Sequence, residues 1–315
     1  MALGPGCLKL DRLSAERKQL TKLSTQGASK LKKKIEDTNF LVVGVVRNCE
    51  KKIEADVERI ALALEKAKKL YWFIVESDSD DRTLSVLKRI KCNTSNFNFE
   101  SLGGLSSKKP LRTDRIAHCR NRYLAEVREN KSYRDIDLVV VADFDGLNTH
   151  INLNAIKSCW ERHNWDMCAA NQDGPYYDIF ALRHFLWSPN NCFEQLNFFN
   201  SFRQNYIVNR YISVYSKMIR IPQEADWIEV DSAFGGFAVY NKSILDFGEY
   251  IGISDSGLEQ CEHVPFHKRL KENGARLYIN PRLINAKRTE HTRNNFLKMM
   301  LPNRAKEFIK KIIKH

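Results

Sequence analysis

Between Asp137 and Thr149 the chain reads DLVVVADFDGLNT. An apolar run of β-formers passes directly into two carboxylates one residue apart and then a glycine. Such a run predicts a buried strand over Asp137 to Ala142, and the twofold alternation of a strand aims Asp143 and Asp145 to one side of its end. Two convergent carboxylates at a strand end are costly without a cation, and a divalent metal held through hard oxygens and carrying a phosphate offsets that cost. Alone, a D-x-D more often marks two solvated loop acids. Its meaning rests on what the rest of the chain brings to the same edge.

Upstream, strands alternate with helices. Phe40 to Val46 predicts a buried strand ending at Arg47-Asn48, and Glu54 to Lys69 an amphipathic helix. Leu70 to Val75 predicts a second strand, which ends in the acidic run Glu76 to Asp81. Thr83 to Ile90 is helical, Phe97 to Leu102 is a short strand, and a helix from Asp114 to Arg128 feeds the strand that carries the acids. This spacing implies βαβ units and a mostly parallel sheet flanked by helices, an α/β fold. Ligands of such sheets bind outside the carboxyl ends of the strands. Arg47, the 76–81 acids and Asp143/Asp145 all fall there.

Beyond residue 150 the pattern loosens. Ile151 to Trp160 predicts a helix, Met167 to Ala170 a short strand, and Gln172 to Arg183 a Gly/Pro/Tyr-rich loop entering another helix. The aromatic, Asn-rich stretch to Ile219 reads as helix and loop. Ser232 to Tyr240 (SAFGGFAVY) reads as a strand broken by a glycine pair, Cys261 to Asn273 as a helix stopped by Gly274, and Leu277 to Ile279 as a last short strand.

The net charge of +13 is carried by the two ends. Residues 1–39 contribute +5 and residues 287–315 contribute +7, which leaves +1 for the 247 residues between them. A nucleic-acid groove needs basic charge in the body of the chain, so nucleic acid is not expected as a partner. Residues 8 to 36 predict a basic helical extension, and Ala305, Phe308, Ile309, Ile312 and Ile313, set among lysines, predict a basic amphipathic tail. That tail either packs on its own domain or lies on an anionic membrane surface. No apolar run is long enough to span a bilayer and the N-terminus lacks a secretory h-region, so a cytoplasmic location is expected, with peripheral attachment to the inner face of a membrane as an option. Eight cysteines without a C-x-x-C pair argue against a zinc site or a disulfide framework.

Each candidate residue has a plainer reading beside the functional one. The 76–81 acids serve as helix caps, or one of Glu76 and Asp78 holds a ribose or base. Arg115 reads as a solvated charge. Arg120-Asn121, on the helix leading into the acid-bearing strand, is harder to set aside. Gly235-Gly236 marks a bulge or a close approach of backbone to ligand. Glu262, beside His263, interacts with a helix dipole or faces the cleft. His291 lies in a polar tail, and only the Asp143/Asp145 pair gives it a reason to bind metal.

The order VVRNCE, ESDSDDRT, RIAHCRNRYL, VVADFDG resembles a GT-A glycosyltransferase, the Rossmann-like nucleotide-sugar fold with a D-x-D metal site, over roughly residues 40–291. Residues 40–150 would then form the nucleotide-binding half and 151–291 the sugar and acceptor half, with extensions at 1–39 and 292–315. The segments AANQDGPYYDIFALR, SAFGGFAVYN and CEHVPFHKRLKENGARLYINPRL are similar to two fungal groups, the capsule-associated mannosyltransferases and the Golgi mannan-polymerase mannosyltransferases. The resemblance implies a metal-dependent hexosyltransferase of surface polysaccharide or glycoconjugate synthesis, moving mannose or a similar hexose from a GDP- or UDP-sugar to a glycan or lipid-linked acceptor. It implies Mn²⁺ or Mg²⁺ on Asp145, with Asp143 on the metal or ribose and His291 as a third ligand. Arg47 and Glu76 or Asp78 would hold the nucleoside, and Arg120 the sugar or diphosphate. Asp178, Gly235 and Gly236 would line the sugar and acceptor cleft. Glu262 sits at the general-base position of inverting relatives, but His263 follows it where a second acid is usual, and the fungal groups are retaining enzymes. Two other readings stand beside this one. DFDG also resembles the nucleophile motif of haloacid-dehalogenase-type Mg-dependent phosphatases, although Leu147 stands where that motif has threonine. A sugar nucleotidyltransferase shares the fold, but the first strand lacks a glycine-rich loop.

Overall fold

The computed structural model describes residues 33–202, 205–287, 289 and 292. The sequence expectations for residues 1–32, His291 and the basic tail lie outside the described residues. Among the described residues an eight-stranded sheet runs in the order β3-β2-β1-β4-β7-β5-β8-β6. Its strands are β1 Asn39–Val46, β2 Lys69–Glu76, β3 Phe97–Ser101, β4 Leu138–Ala142, β5 Met167–Gln172, β6 Ile228–Glu229, β7 Phe237–Asn241 and β8 Leu277–Ala286. β1, β2, β3 and β4 pair in parallel, as do β5 and β8. β7 lies antiparallel between β4 and β5 and joins the two halves into one sheet.

Alternate residues of the central strands feed opposite faces. Leu41, Val43, Val139 and Val141 pack with helix α3 (Arg112–Glu129) and α7 (His263–Glu272). Phe40, Val42, Val140 and Ala142 pack with α1 (Ile53–Ala63), α2 (Thr83–Asn93) and α4 (Leu153–Lys157). The result is three layers, helices on both faces of the sheet. Two further helices, α5 (Cys192–Ser201) and α6 (Tyr206–Ser213), pack against each other.

The sequence reading and the structure part at four places. The helix expected to Lys69 stops at Ala63, and Lys69 already opens β2. After Arg183 the chain makes a tight bridge, His184 to Ser188, before the next helix begins at Cys192. The strand expected from Ser232 starts at Phe237, because Gly235 and Gly236 both take positive φ, 69° and 82°, and form a turn ahead of it. The last strand runs on to Ala286 through Pro281. The β5–β8 register shifts at that point, and the Pro281 carbonyl accepts from Asn171, so the missing N–H falls at an irregularity of the ladder.

Candidate active site

β1, β2 and β4 are parallel neighbours, so Arg47, Glu76 and Asp143 emerge on one edge. At the end of β4 the D-F-D sequence divides between core and solvent. Phe144 is buried against β1, where Gly44 makes room for it: a Cβ there would lie 2.4 Å from both the Ala142 carbonyl and the Phe144 ring. That insertion leaves Asp143 and Asp145 on the solvent side of the strand end. Asp145 is exposed and accepts from the Leu147 N–H at 3.2 Å.

Opposite them stands Arg120, buried on α3. Its Nε donates to Glu262 Oε1 at 2.9 Å, its Nη1 to the Tyr123 hydroxyl at 3.1 Å, and its Nη2 reaches Asp143 Oδ1 at 3.5 Å. The guanidinium also lies over the Phe234 and Tyr250 rings, 5.1 and 5.7 Å from their centroids. Asp143 is half-buried among like charges. Desolvation first, and then Asp145, Asp178 and Glu262, push its carboxyl up to about 7 against the pull of Arg120. Two carboxylates thus share a single guanidinium while Asp145 and Asp178 add their charge at Asp143, an imbalance that favours a further cation. Hard oxygens on Asp143 and an exposed Asp145 suit Mg²⁺ or Mn²⁺. Among the described residues no group of three or more His, Cys, Asp or Glu is placed to hold a metal.

The remaining sequence candidates divide by partner. Arg47 is exposed at the rim, with Nε donating to the Asp78 carbonyl at 3.1 Å. Glu76 is buried and holds the Ser79 N–H at 3.0 Å and the Ser101 hydroxyl. Asp78, at φ 56°, accepts from the Ser106 N–H at 2.8 Å and faces Arg115 at 4.0 Å. Both acids therefore shape the loops at the ends of β2 and β3. Asp81 accepts from the N–H of Thr83, the first residue of α2, at 2.8 Å. Asn121 closes a reciprocal pair with the Tyr250 backbone, 2.9 and 2.8 Å. Asp178 accepts from the Gly235 N–H at 2.9 Å and so braces the glycine turn from below.

The glycine turn approaches the protein itself. A Cβ on Gly236 would lie 2.2 Å from Leu147 Cδ2 and 2.9 Å from the Tyr177 hydroxyl. Tyr177 borders the acids, and burial followed by the charge of Asp178 raises its phenol well above the usual range, so it stays a neutral donor.

Sequence reasoning missed a buried carboxamide network beneath the acids. Asn148 donates to the Asp143 carbonyl at 2.7 Å, and Asn285 donates to Asn148 Oδ1 at 2.9 Å and to the Gly235 carbonyl at 2.8 Å. Gln172 donates to Asn285 Oδ1 at 3.1 Å. The network locks the end of β4, the glycine turn and the end of β8 together. Its one local signal was Asn148, within DFDGLNT.

Asp56 anchors the same loop from α1. It is fully buried, accepts from the Gly146 N–H at 2.7 Å and is 3.1 Å from Arg59. Burial pushes its carboxyl from the usual 3.8 up to about 6. Below 3.8 both the folded and the unfolded chain are protonated at this site, and between 3.8 and about 6 the unfolded chain ionises first. This group therefore lowers stability by about 3 kcal/mol across that window and by a constant amount above it. Asp56→Asn is expected to remove that fall, read as the difference in urea-unfolding free energy between about pH 4 and pH 7. A variant that keeps the parent's pH slope would show that Asp56 does not carry it.

No protein-family model matches the sequence, and no curated protein matches it. Several solved structures are similar in shape. Residues 1–349 of S. aureus TarS align at 14% identity over 86% of this chain and 69% of that one, with a TM-score of 0.42. TarS has also been solved with UDP and with UDP-GlcNAc. Mannosyltransferase PcManGT from Pyrobaculum calidifontis, in complex with GDP-Man and Mn²⁺, aligns at 14% identity over 90% of this chain and 68% of that one, TM-score 0.42. Glucosyl-3-phosphoglycerate synthase from Mycobacterium tuberculosis, in complex with UDP, aligns at 12% over 79% and 69%, TM-score 0.35. No helix among the described residues is long and apolar enough to cross a membrane.

Proposed function

We propose that the chain is a metal-dependent glycosyltransferase of the GT-A type, moving a hexose from a nucleoside-diphosphate sugar to a glycan or lipid-linked acceptor. The observation that carries this reading is Asp143 at the carboxyl edge of β1, β2 and β4, surrounded by the charges of Asp145, Asp178 and Glu262 with Arg120 as the one guanidinium beside it. A site so rich in carboxylate has no use for an anion by itself. It does suit a diphosphate that arrives with a divalent cation.

In this reading Asp145, with Asp143 behind it and His291 as a further candidate, would hold Mn²⁺ or Mg²⁺. When bound, the ion neutralises the negative charge that builds on the departing diphosphate. Arg47 takes the nucleoside side of the rim, whose loops Glu76 and Asp78 shape. Asp178 and the Gly235-Gly236 turn form the floor of the sugar pocket, and Tyr177 offers a neutral hydroxyl there. Arg120 holds Glu262 and Asp143 in fixed positions.

Transfer with retention is the preferred stereochemistry. Glu262 Oε1 is engaged by a guanidinium at 2.9 Å and is not presented to an acceptor hydroxyl. A retaining transfer needs no such base, because the attacking hydroxyl lies on the leaving-group face and its proton passes to a diphosphate oxygen. Mannose is the preferred sugar, on the resemblance of the 169–183, 232–241 and 261–283 segments to fungal mannosyltransferases.

A thermal-shift panel tests the donor site. GDP, UDP and their sugars, each with Mn²⁺ or with EDTA, should give a metal-dependent stabilisation of about 2.7 kcal/mol at a hundredfold excess over Kd. No shift with any nucleotide in either condition would overturn the assignment. Metal-dependent release of phosphate from small phosphoesters, with no nucleotide shift, would favour the phosphatase reading.

A further inference from the structure

The helix α6 is amphipathic with the wrong side out, and α5, which buries Cys192 and Leu196, leaves further aromatic side chains exposed beside it. On α6 the fully buried residues are Asn209 and Ser213, while Tyr206, Val208, Tyr211 and Ile212 are between 41% and 50% exposed. Asn209 Nδ2 donates to Asn200 Oδ1 at 2.9 Å, a polar bond across the helix pair. On α5 and just beyond it, Phe198 and Phe202 are each 60% exposed and pack edge to face on one another. The 184–188 turn adds Phe185 and Leu186, 74% and 77% exposed, and it is tied to the same region by the Trp187 Nε1 bond to the Lys217 carbonyl.

Most large apolar side chains left in water by the described residues thus fall within 35 positions of sequence. A helix such as α6, with polar residues inside and apolar ones outside, is the arrangement a hydrocarbon solvent stabilises and water does not. The charge of this stretch selects among possible occupants. From Gln195 to Gln223, between Glu194 and Glu224, the sequence has no acid, and it carries Arg203, Arg210, Lys217 and Arg220, the last paired with Asp173. Arg210 is bracketed by the hydroxyls of Tyr206 and Tyr215 at 2.7 and 3.1 Å, a basic and phenolic group of the kind that settles at a headgroup layer.

We propose that α5, α6 and the 184–188 turn form a docking face for an anionic bilayer, with Phe185, Leu186, Phe198, Phe202 and Ile212 entering the boundary between headgroups and acyl chains. The face is distinct from the basic termini and does not depend on the chemistry assigned to the cleft. A cleft of about 660 Å³ separates α5 from Gln260 and Val264, which flank Glu262 in sequence.

The test is flotation of the full chain with vesicles of 30% phosphatidylglycerol in phosphatidylcholine, compared with phosphatidylcholine alone, at about 0.1 M salt, where charges a Debye length of ~10 Å apart are screened. The parent should bind the anionic vesicles. Phe198→Ser/Phe202→Ser/Ile212→Ser should weaken that binding at least tenfold, while Leu62→Ser, exposed on α1, should leave it unchanged. The nucleotide shift of the triple variant should match the parent, which separates failure of this proposal from failure of the cleft assignment. If the triple variant does not fold, Phe202→Ser alone carries the test with a threefold loss. Failure of the parent to bind, undiminished binding by the variants, or a concentration-dependent dimer that the substitutions dissolve would each overturn the proposal, the last in favour of a second copy of the chain.

Discussion

Asp145→Ala is expected to abolish the metal-dependent nucleotide shift and to lower sugar transfer by about 10²–10³-fold, while leaving the unfolding free energy within about 0.5 kcal/mol of the parent. The separation of the two effects follows from its surroundings. Asp145 is exposed and its side chain makes one bond, to the Leu147 N–H, so removing the carboxylate opens no cavity and orphans no buried partner. What disappears is the carboxylate most open to solvent at the end of β4. Asp145→Asn should behave almost as badly, because an amide oxygen lacks the charge that holds a hard cation. Titration of GDP or UDP with and without Mn²⁺ reads the effect directly. A variant that keeps the parent's metal-dependent affinity would move the cation site elsewhere.

Arg120→Met is expected to have the opposite profile, a loss of about 3–5 kcal/mol of stability as well as activity. The guanidinium is buried and serves Glu262, Tyr123 and Asp143 together, so its removal leaves two carboxylates and a phenol in a desolvated place without their cation. Coupling Arg120→Met to Glu262→Leu should recover a large part of the loss, because the stranded charge goes with its partner. Urea unfolding of the two single variants and the double variant gives the coupling energy. If the two losses simply add, the pair is not the structural unit the geometry describes.

Local pattern made part of this site readable in the amino-acid sequence. The apolar run into Asp143 and Asp145 is a one-strand signal, and the alternation that aims the two acids together is contained in seven residues. The left-handed glycines announced a special backbone, although not that Leu147 and Tyr177 would be what crowds it. Arg120 drew notice by its place on α3, yet its service to Glu262, 142 positions away, has no local trace. The same holds for Asn148 and Asn285, 137 positions apart, since lone carboxamides occur everywhere in polar loops. Periodicity is equally silent about direction, so the antiparallel sense of β7 was not legible from the alternation of Phe237 to Tyr240. It even misleads at α6, where the apolar stripe lies on the outside.

The place of β7 also sets the order in which this protein can be finished. β4 and β5 are made well before the strand that separates them, and Asn241 leaves the ribosome 99 residues after Ala142. At ordinary rates of synthesis one side of β4, the most apolar strand of the sheet, waits roughly 5–20 s for its neighbour. During that interval the new chain carries a bare hydrophobic edge able to pair with a stranger. Yield in the cell should therefore depend on how quickly, and how well shielded, the next hundred residues arrive.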